Sequence, residues 1–131
     1  MIVVDSSVWV DYLRGRSTAQ TDWVDRQLGV RPLAITDIIL CEVLQGIRDD
    51  QQFVKARREL LTLELFSTGG RDVALAAATN YRMLRARGRT IRGTIDCLIA
   101  TFCLLNDHAL LHDDRDYDVF EHALNLAVVH P

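Results

Sequence analysis

Lysine is almost missing. The basic side chains among the 131 residues are fourteen arginines and the single Lys55. A phosphorelay receiver, which needs a lysine after its last strand, is therefore a poor fit. Arginine suits bidentate phosphate contacts, although genome base composition produces the same bias. Long hydrophobic runs are also missing. No apolar stretch approaches the roughly 20 residues of a membrane-spanning helix. The start, "MIVVDSSVW", has neither a basic segment nor an apolar segment of signal-peptide length. The three cysteines, Cys41, Cys97 and Cys103, are odd in number, lack zinc-site spacing and sit in apolar runs. They read as small buried hydrophobes in a reducing compartment. No excess of one charge stands out, since the net charge is −3. With no repeat, low-complexity segment or linker, the expectation is one cytoplasmic domain over 1–131, away from any membrane.

What is present is a regular alternation. "MIVVD" is a short β-branched run, and "SSVWVDYLRG" follows with Val8, Trp9, Tyr12 and Leu13 on one helical face. A second helix is expected over 19–28, a strand at "PLAIT" and an apolar helix at "DIILCEVLQGI". Next come a polar-faced helix over 50–61, a strand at "LELFST" and a helix over 71–87. After the loop "GRTIRG", residues 94–105 carry Ile95, Leu98, Ile99, Phe102 and Leu105 on one stripe. "ALLH" and "LAVVH" read as the fourth and fifth strands, with an acidic turn between them. Short apolar strands alternating with helices imply an α/β fold, a parallel five-stranded sheet covered on both faces.

Open α/β sheets bind ligands beyond the carboxyl ends of their strands. Four acidic residues fall in suitable places: Asp5 after strand one, Glu42 in the helix after strand two, Asp96 opening the helix before strand four, and Asp114 after it. Asp5 also suits a helix cap, Asp96 a helix dipole and Asp114 a turn. Glu42 is harder to explain structurally. Ile39, Leu40, Cys41, Val43 and Leu44 around it are all apolar, and its i+3 and i+4 positions are Gln45 and Gly46, so no local arginine neutralises it. A lone carboxylate in such a place costs several kcal/mol unless paired or metal-bound. Carboxylates gathered at one sheet end repel one another unless a cation sits among them. An all-oxygen set suits Mg²⁺ or Mn²⁺ and phosphodiester hydrolysis.

"IVVDSSVWVDYL", "ITDIILCEVLQGI", "RTIRGTIDCLIATFCLL" and "LLHDDRDYD" together resemble the successive motifs of PIN-domain ribonucleases. The strongest likeness is to VapC-type toxins of bacterial toxin–antitoxin pairs. The likeness runs from residue 2 to the terminal strand. It implies a PIN fold and a Mg²⁺- or Mn²⁺-dependent endoribonuclease leaving a 5′-phosphate and a 3′-hydroxyl. By motif position Asp5, Glu42, Asp96 and Asp114 match the family's acidic quartet. Asp116 matches a further acidic position, and Ser6 the small hydroxyl residue after the first aspartate, which is expected to contact the substrate. Asp5, Asp96, Asp114 and Asp116 are then the expected metal ligands, with Glu42 orienting or deprotonating the attacking water. His112 and Tyr117 depart from the commoner Thr or Asn and Phe, without removing a carboxylate. The remaining histidines show no catalytic or zinc pattern.

An acidic site must still hold RNA. Arg85, Arg87, Arg89 and Arg92 cluster shortly before Asp96, and Arg89 and Arg92 are the expected phosphate contacts. A solvated helix end explains the same arginines. The resemblance also implies a VapB-type antitoxin as partner and a homodimer. Two competing readings are a haloacid-dehalogenase phosphatase and a PIN-like binding module without catalysis. The first wants an aspartate where Ser7 stands. The second loses ground because every expected carboxylate is present.

Overall fold

The computed structural model describes residues 1–131. Its centre is β1, Ile2–Val4, where Val3 and Val4 are wholly buried. A strand covered on both faces favours β-branched residues without polar alternation, as this run has. β2 (Leu33–Thr36), β3 (Glu64–Phe66) and β4 (Ala109–Leu111) complete a sheet of order β3-β2-β1-β4. All pairs are parallel. Ile2 lies opposite both Leu33 and Ala109, and Thr36 lies opposite Phe66.

Parallel neighbours require crossover connections, and pairs of helices provide each one. α1 (Ser6–Leu13) and α2 (Ala19–Gln27) join β1 to β2, and α3 (Asp37–Gln45) with α4 (Asp50–Leu60) join β2 to β3. α5 (Gly70–Ala86) and α6 (Thr94–Leu105) return the chain to β4. α6 is the most deeply embedded helix, with Cys97, Ile99, Ala100, Thr101, Phe102 and Cys103 buried. Strands and inward helix faces share a cluster of 25 buried apolar residues. Trp9 belongs to that cluster, and Tyr12 and Trp23 lie against it.

Strand ends and helix starts are fixed by polar side chains at the carboxyl edge of the sheet. The Asp5 amide donates to Leu111 O at 2.9 Å, which continues the β1–β4 ladder one step and aims Asp5 past the edge. The Thr36 hydroxyl caps α3 by accepting from the Ile39 amide at 3.2 Å. Asp37 accepts from the Ile38 and Thr68 amides and from the Thr68 hydroxyl, tying α3 to the segment after β3. These bonds pull its carboxyl below the usual aspartate value although burial pushes the other way. Asp37 is thus an acidic residue at this edge with a structural task.

The α/β architecture matches expectation, with three differences in detail. The sheet has four strands, not five. "LAVVH" contributes one parallel bridge, Leu110 with Val128, through bonds of 2.8 and 3.0 Å. β4 offers only three residues before the turn at His112, so there is little ladder to extend. The acidic turn contains regular structure, a 3-10 turn at Arg115–Tyr117 and then α7, Asp118–Leu124. Phe120 anchors α7 in the core and is wholly buried. Asn125, in the left-handed region at φ 59°, ends it. Finally, Cys41 is exposed while Cys97 and Cys103 are buried. α3 packs against α1 through Ile39 and Val43, and Cys41 falls on its outer side.

Candidate active site

Asp5, Glu42, Asp96, Asp114 and Asp116 come from four separate stretches of chain. Asp5 follows β1, and its side chain accepts from the Ser7 amide at 3.1 Å as the cap of α1. Glu42 lies on the face of α3 beside α1, close to the Ser6 hydroxyl. Asp96 stands in the first turn of α6, where the positive helix terminus favours a carboxylate. Asp114 follows β4 and caps the 3-10 turn, accepting from the Asp116 amide at 2.9 Å. Capping and convergence are therefore compatible. The backbone bonds that account for Asp5 and Asp114 locally also fix their direction.

Asp96, Asp114 and Asp116 offer one oxygen each within 4.8 Å of one another. Asp5 and Glu42 stand outside that triad but within electrostatic reach of it. Burial first, then the charges of Asp5, Asp114 and Asp116, raise the Asp96 carboxyl to about 6, against a partial opposing effect of the Tyr117 hydroxyl. Burial likewise raises Glu42, reinforced by Asp5 and Asp96 and opposed by the Ser6 hydroxyl beside it. Glu42 Oε1 is buried and has no hydrogen-bond partner. An unsatisfied buried carboxylate oxygen costs free energy, so the chain alone does not explain it.

The donor chemistry fits a hard divalent cation. The three grouped ligands are all carboxylates, and no cysteine joins them. His112 is the one imidazole nearby, and its Nδ1 is engaged in accepting from the Asp114 amide at 3.1 Å. An oxygen-only set suits Mg²⁺ or Mn²⁺ better than zinc.

Arg92 reaches towards Asp116, with Nε 3.9 Å from Oδ1, and is otherwise largely exposed. Arg89 lines a cleft of about 300 Å³ with Tyr81, Arg85, Gly88, Thr90 and Ile91. Arg85 lies over the Tyr81 ring at 5.6 Å. Of the expected phosphate-binding arginines, Arg92 reaches an acidic residue and Arg89 lines a separate cleft. On the other side, Glu42 and Gly46 border a groove of about 1010 Å³ between α1–α2 and α3–α4. Arg14, Arg16, Arg48 and Lys55 share its lining with Asp22, Asp25, Asp49 and Glu59.

Three further participants carry no role that the sequence alone suggests. Ser7 donates its hydroxyl to Asp5 Oδ2 at 2.7 Å and accepts the Asp113 amide at 3.0 Å, joining β1's end to β4's end. Tyr117, wholly buried, donates to Asp5 Oδ1 at 2.8 Å. His112 packs on the Tyr117 ring at 4.9 Å, and burial lowers its pKa, so the neutral ring is favoured. The available signal was the tyrosine itself. A phenol within an apolar-and-acidic run must find a partner once buried, and carboxylates were the nearest candidates.

A family model for the PIN domain matches residues 2–123. Ribonuclease VapC11 of Mycobacterium tuberculosis is 32% identical over 128 residues, covering 96% of each chain. A VapC ribonuclease of Mycobacterium bovis aligns equally well. Among solved structures, VapBC2 from Rickettsia felis, bound to a promoter DNA fragment, superposes with a TM-score of 0.78 over 98% of both chains at 18% identity. FitAcB from Neisseria gonorrhoeae gives 0.75 over 100% of this chain and 98% of the other, at 19% identity. At those identities the superpositions speak for the fold. The family match and the 32% relatives carry the assignment: this chain belongs to the PIN-domain family, in its VapC-type branch.

Proposed function

We propose that this PIN domain, taken as residues 1–131, is a Mg²⁺- or Mn²⁺-dependent endoribonuclease and the toxin of a VapBC-type pair. One observation carries the reading. Three carboxylates from two segments approach within 4.8 Å, flanked by Asp5 and by Glu42 with its unpartnered Oε1, at the carboxyl edge of a parallel sheet. Fold stability alone gives no reason to gather those charges. The relatives' names supply the substrate class.

Asp96, Asp114 and Asp116 would hold the ion, with Asp5 behind them. A bound divalent ion supplies charge neutralisation for the phosphodiester and a more acidic water. The chain's own residues do the rest. Glu42, raised by burial and with Oε1 free of any hydrogen bond, takes the proton of the attacking water at a carboxylate oxygen. Ser6, at the start of α1, orients Glu42 on α3. Arg92 and Arg89 hold phosphates on either side of the scissile bond and keep the strand beside an otherwise repulsive site.

The antitoxin is assigned to the groove between α1–α2 and α3–α4. A groove of mixed charge with Glu42 in its lining would let a bound segment cover that carboxylate. A superposed structure from Klebsiella pneumoniae is a toxin–antitoxin complex, which supports a partner of that kind. A homodimer completes the proposal and is tested by scattering mass across protein concentration. Glu42→Gln and Asp96→Asn are expected to lower RNA cleavage by at least a hundredfold while leaving the melting curve cooperative. Full activity in both folded variants would refute the assignment.

A further inference from the structure

Asp5 is the first carboxylate of the acidic set in the chain, and within that set it is the one most occupied by the protein. Its residue is only 3% exposed. A carboxylate offers about four lone-pair positions, and the protein fills three. Oδ2 accepts from both the Ser7 amide and the Ser7 hydroxyl, at 3.1 and 2.7 Å. Oδ1 accepts from the Tyr117 hydroxyl at 2.8 Å. Meanwhile Asp96, Asp114 and Asp116 come together without it.

Tyr117 is placed to cause that separation. It closes the 3-10 turn that follows Asp114, so one short segment carries Asp114, Asp116 and the phenol. His112 and Phe120 flank the ring at 4.9 and 6.5 Å, which leaves the hydroxyl little freedom to turn away from Asp5. The hydroxyl is also near enough to Asp96 to stabilise its charge. Its single proton is donated to Asp5. A phenylalanine would fill the same volume and leave Asp5 Oδ1 free.

We propose that Tyr117 is a positioning residue that holds Asp5 behind the Asp96–Asp114–Asp116 triad, so that Asp5 acts on the ion through its charge and not as a direct ligand. The inference rests on the metal-dependent reading above and specifies its ligand set.

The test needs no RNA and no turnover. Mn²⁺ is titrated into metal-free protein, and the six-line electron paramagnetic resonance signal of free Mn²⁺ gives the affinity. Tyr117→Phe should bind Mn²⁺ about three- to tenfold more tightly than the wild type, the scale of a pairwise coupling between touching groups. Asp5→Asn should weaken binding more in the Tyr117→Phe background than in the wild type. Ser7→Ala, which frees a lone pair on Oδ2, is the second route to tighter binding if Tyr117→Phe loses its cooperative melt. Equal or weaker binding by the folded variant, or an Asp5→Asn effect that is the same in both backgrounds, overturns the positioning role alone. Failure of every protein to bind Mn²⁺ overturns the metal-dependent reading, and this role with it.

Discussion

Asp96 shows how a site residue works against the fold that carries it. Its carboxyl titrates near 6 instead of the ordinary 3.8, from burial first and then from neighbouring carboxylates. Between those values the folded state holds more proton than the unfolded state, so stability falls as pH rises through that window. Metal-free wild type should lose stability from pH 4 to pH 7 through this group. Asp96→Asn should gain melting temperature relative to the wild type at pH 7.5 and not at pH 4, both in chelator. Mn²⁺ competes with the same proton, so its affinity should climb as pH passes about 6 and level off above. A flat affinity from pH 5 to 7.5 would show that Asp96 is not a ligand. Legibility at this scale was uneven for a physical reason. Glu42 stood out because its surroundings are apolar, whereas Ser7 and Tyr117 look ordinary until the backbone brings residues 106 and 112 positions away against them.

The elements that deliver these residues differ in how plainly the sequence announces them. β1, β4 and the buried stripe of α6 are plain apolar runs, and the bounds of α6 and all four strands fall within a residue or two of expectation. α7 was hidden because its anchor, Phe120, follows a run of aspartates that reads as a turn. Its register is set by tertiary packing and not by local pattern. The fifth strand failed for the opposite reason: "LAVVH" has strand propensity, but β4 leaves it a single bridge to make. The start of α5 is specified more sharply. Gly69 sits at φ 115°, and a Cβ there would meet Val73 Cγ2 at 2.6 Å. Gly69→Ala should cost about 1–3 kcal/mol in denaturant unfolding, from strain and overpacking together. A loss below about 0.5 kcal/mol, the ordinary range for a neutral surface change, would show that the helix start adjusts freely.

Across the whole molecule the net charge of −3 conceals a division of labour. Carboxylates gather at the sheet's carboxyl edge, while arginines crowd the end of α5 and the loop to α6. RNA binding to such a surface should be salt-dependent in spite of the negative total. Replacing Arg89 and Arg92 with alanine should lower the salt slope by roughly one for each phosphate those side chains neutralise. An unchanged slope would return both arginines to the solvated helix end. No helix is long and apolar enough to cross a membrane, in line with the lack of long hydrophobic runs. Whether the gathered carboxylates make an ion-dependent nuclease is decided by incubating purified protein with a mixed RNA pool under a Mn²⁺ titration and sequencing the fragment ends. The expected outcome is no cleavage in chelator, cleavage that rises with Mn²⁺, 5′-phosphate ends, and silence from Asp96→Asn at every concentration. Cleavage that persists in chelator, or that survives Asp96→Asn, would contradict it.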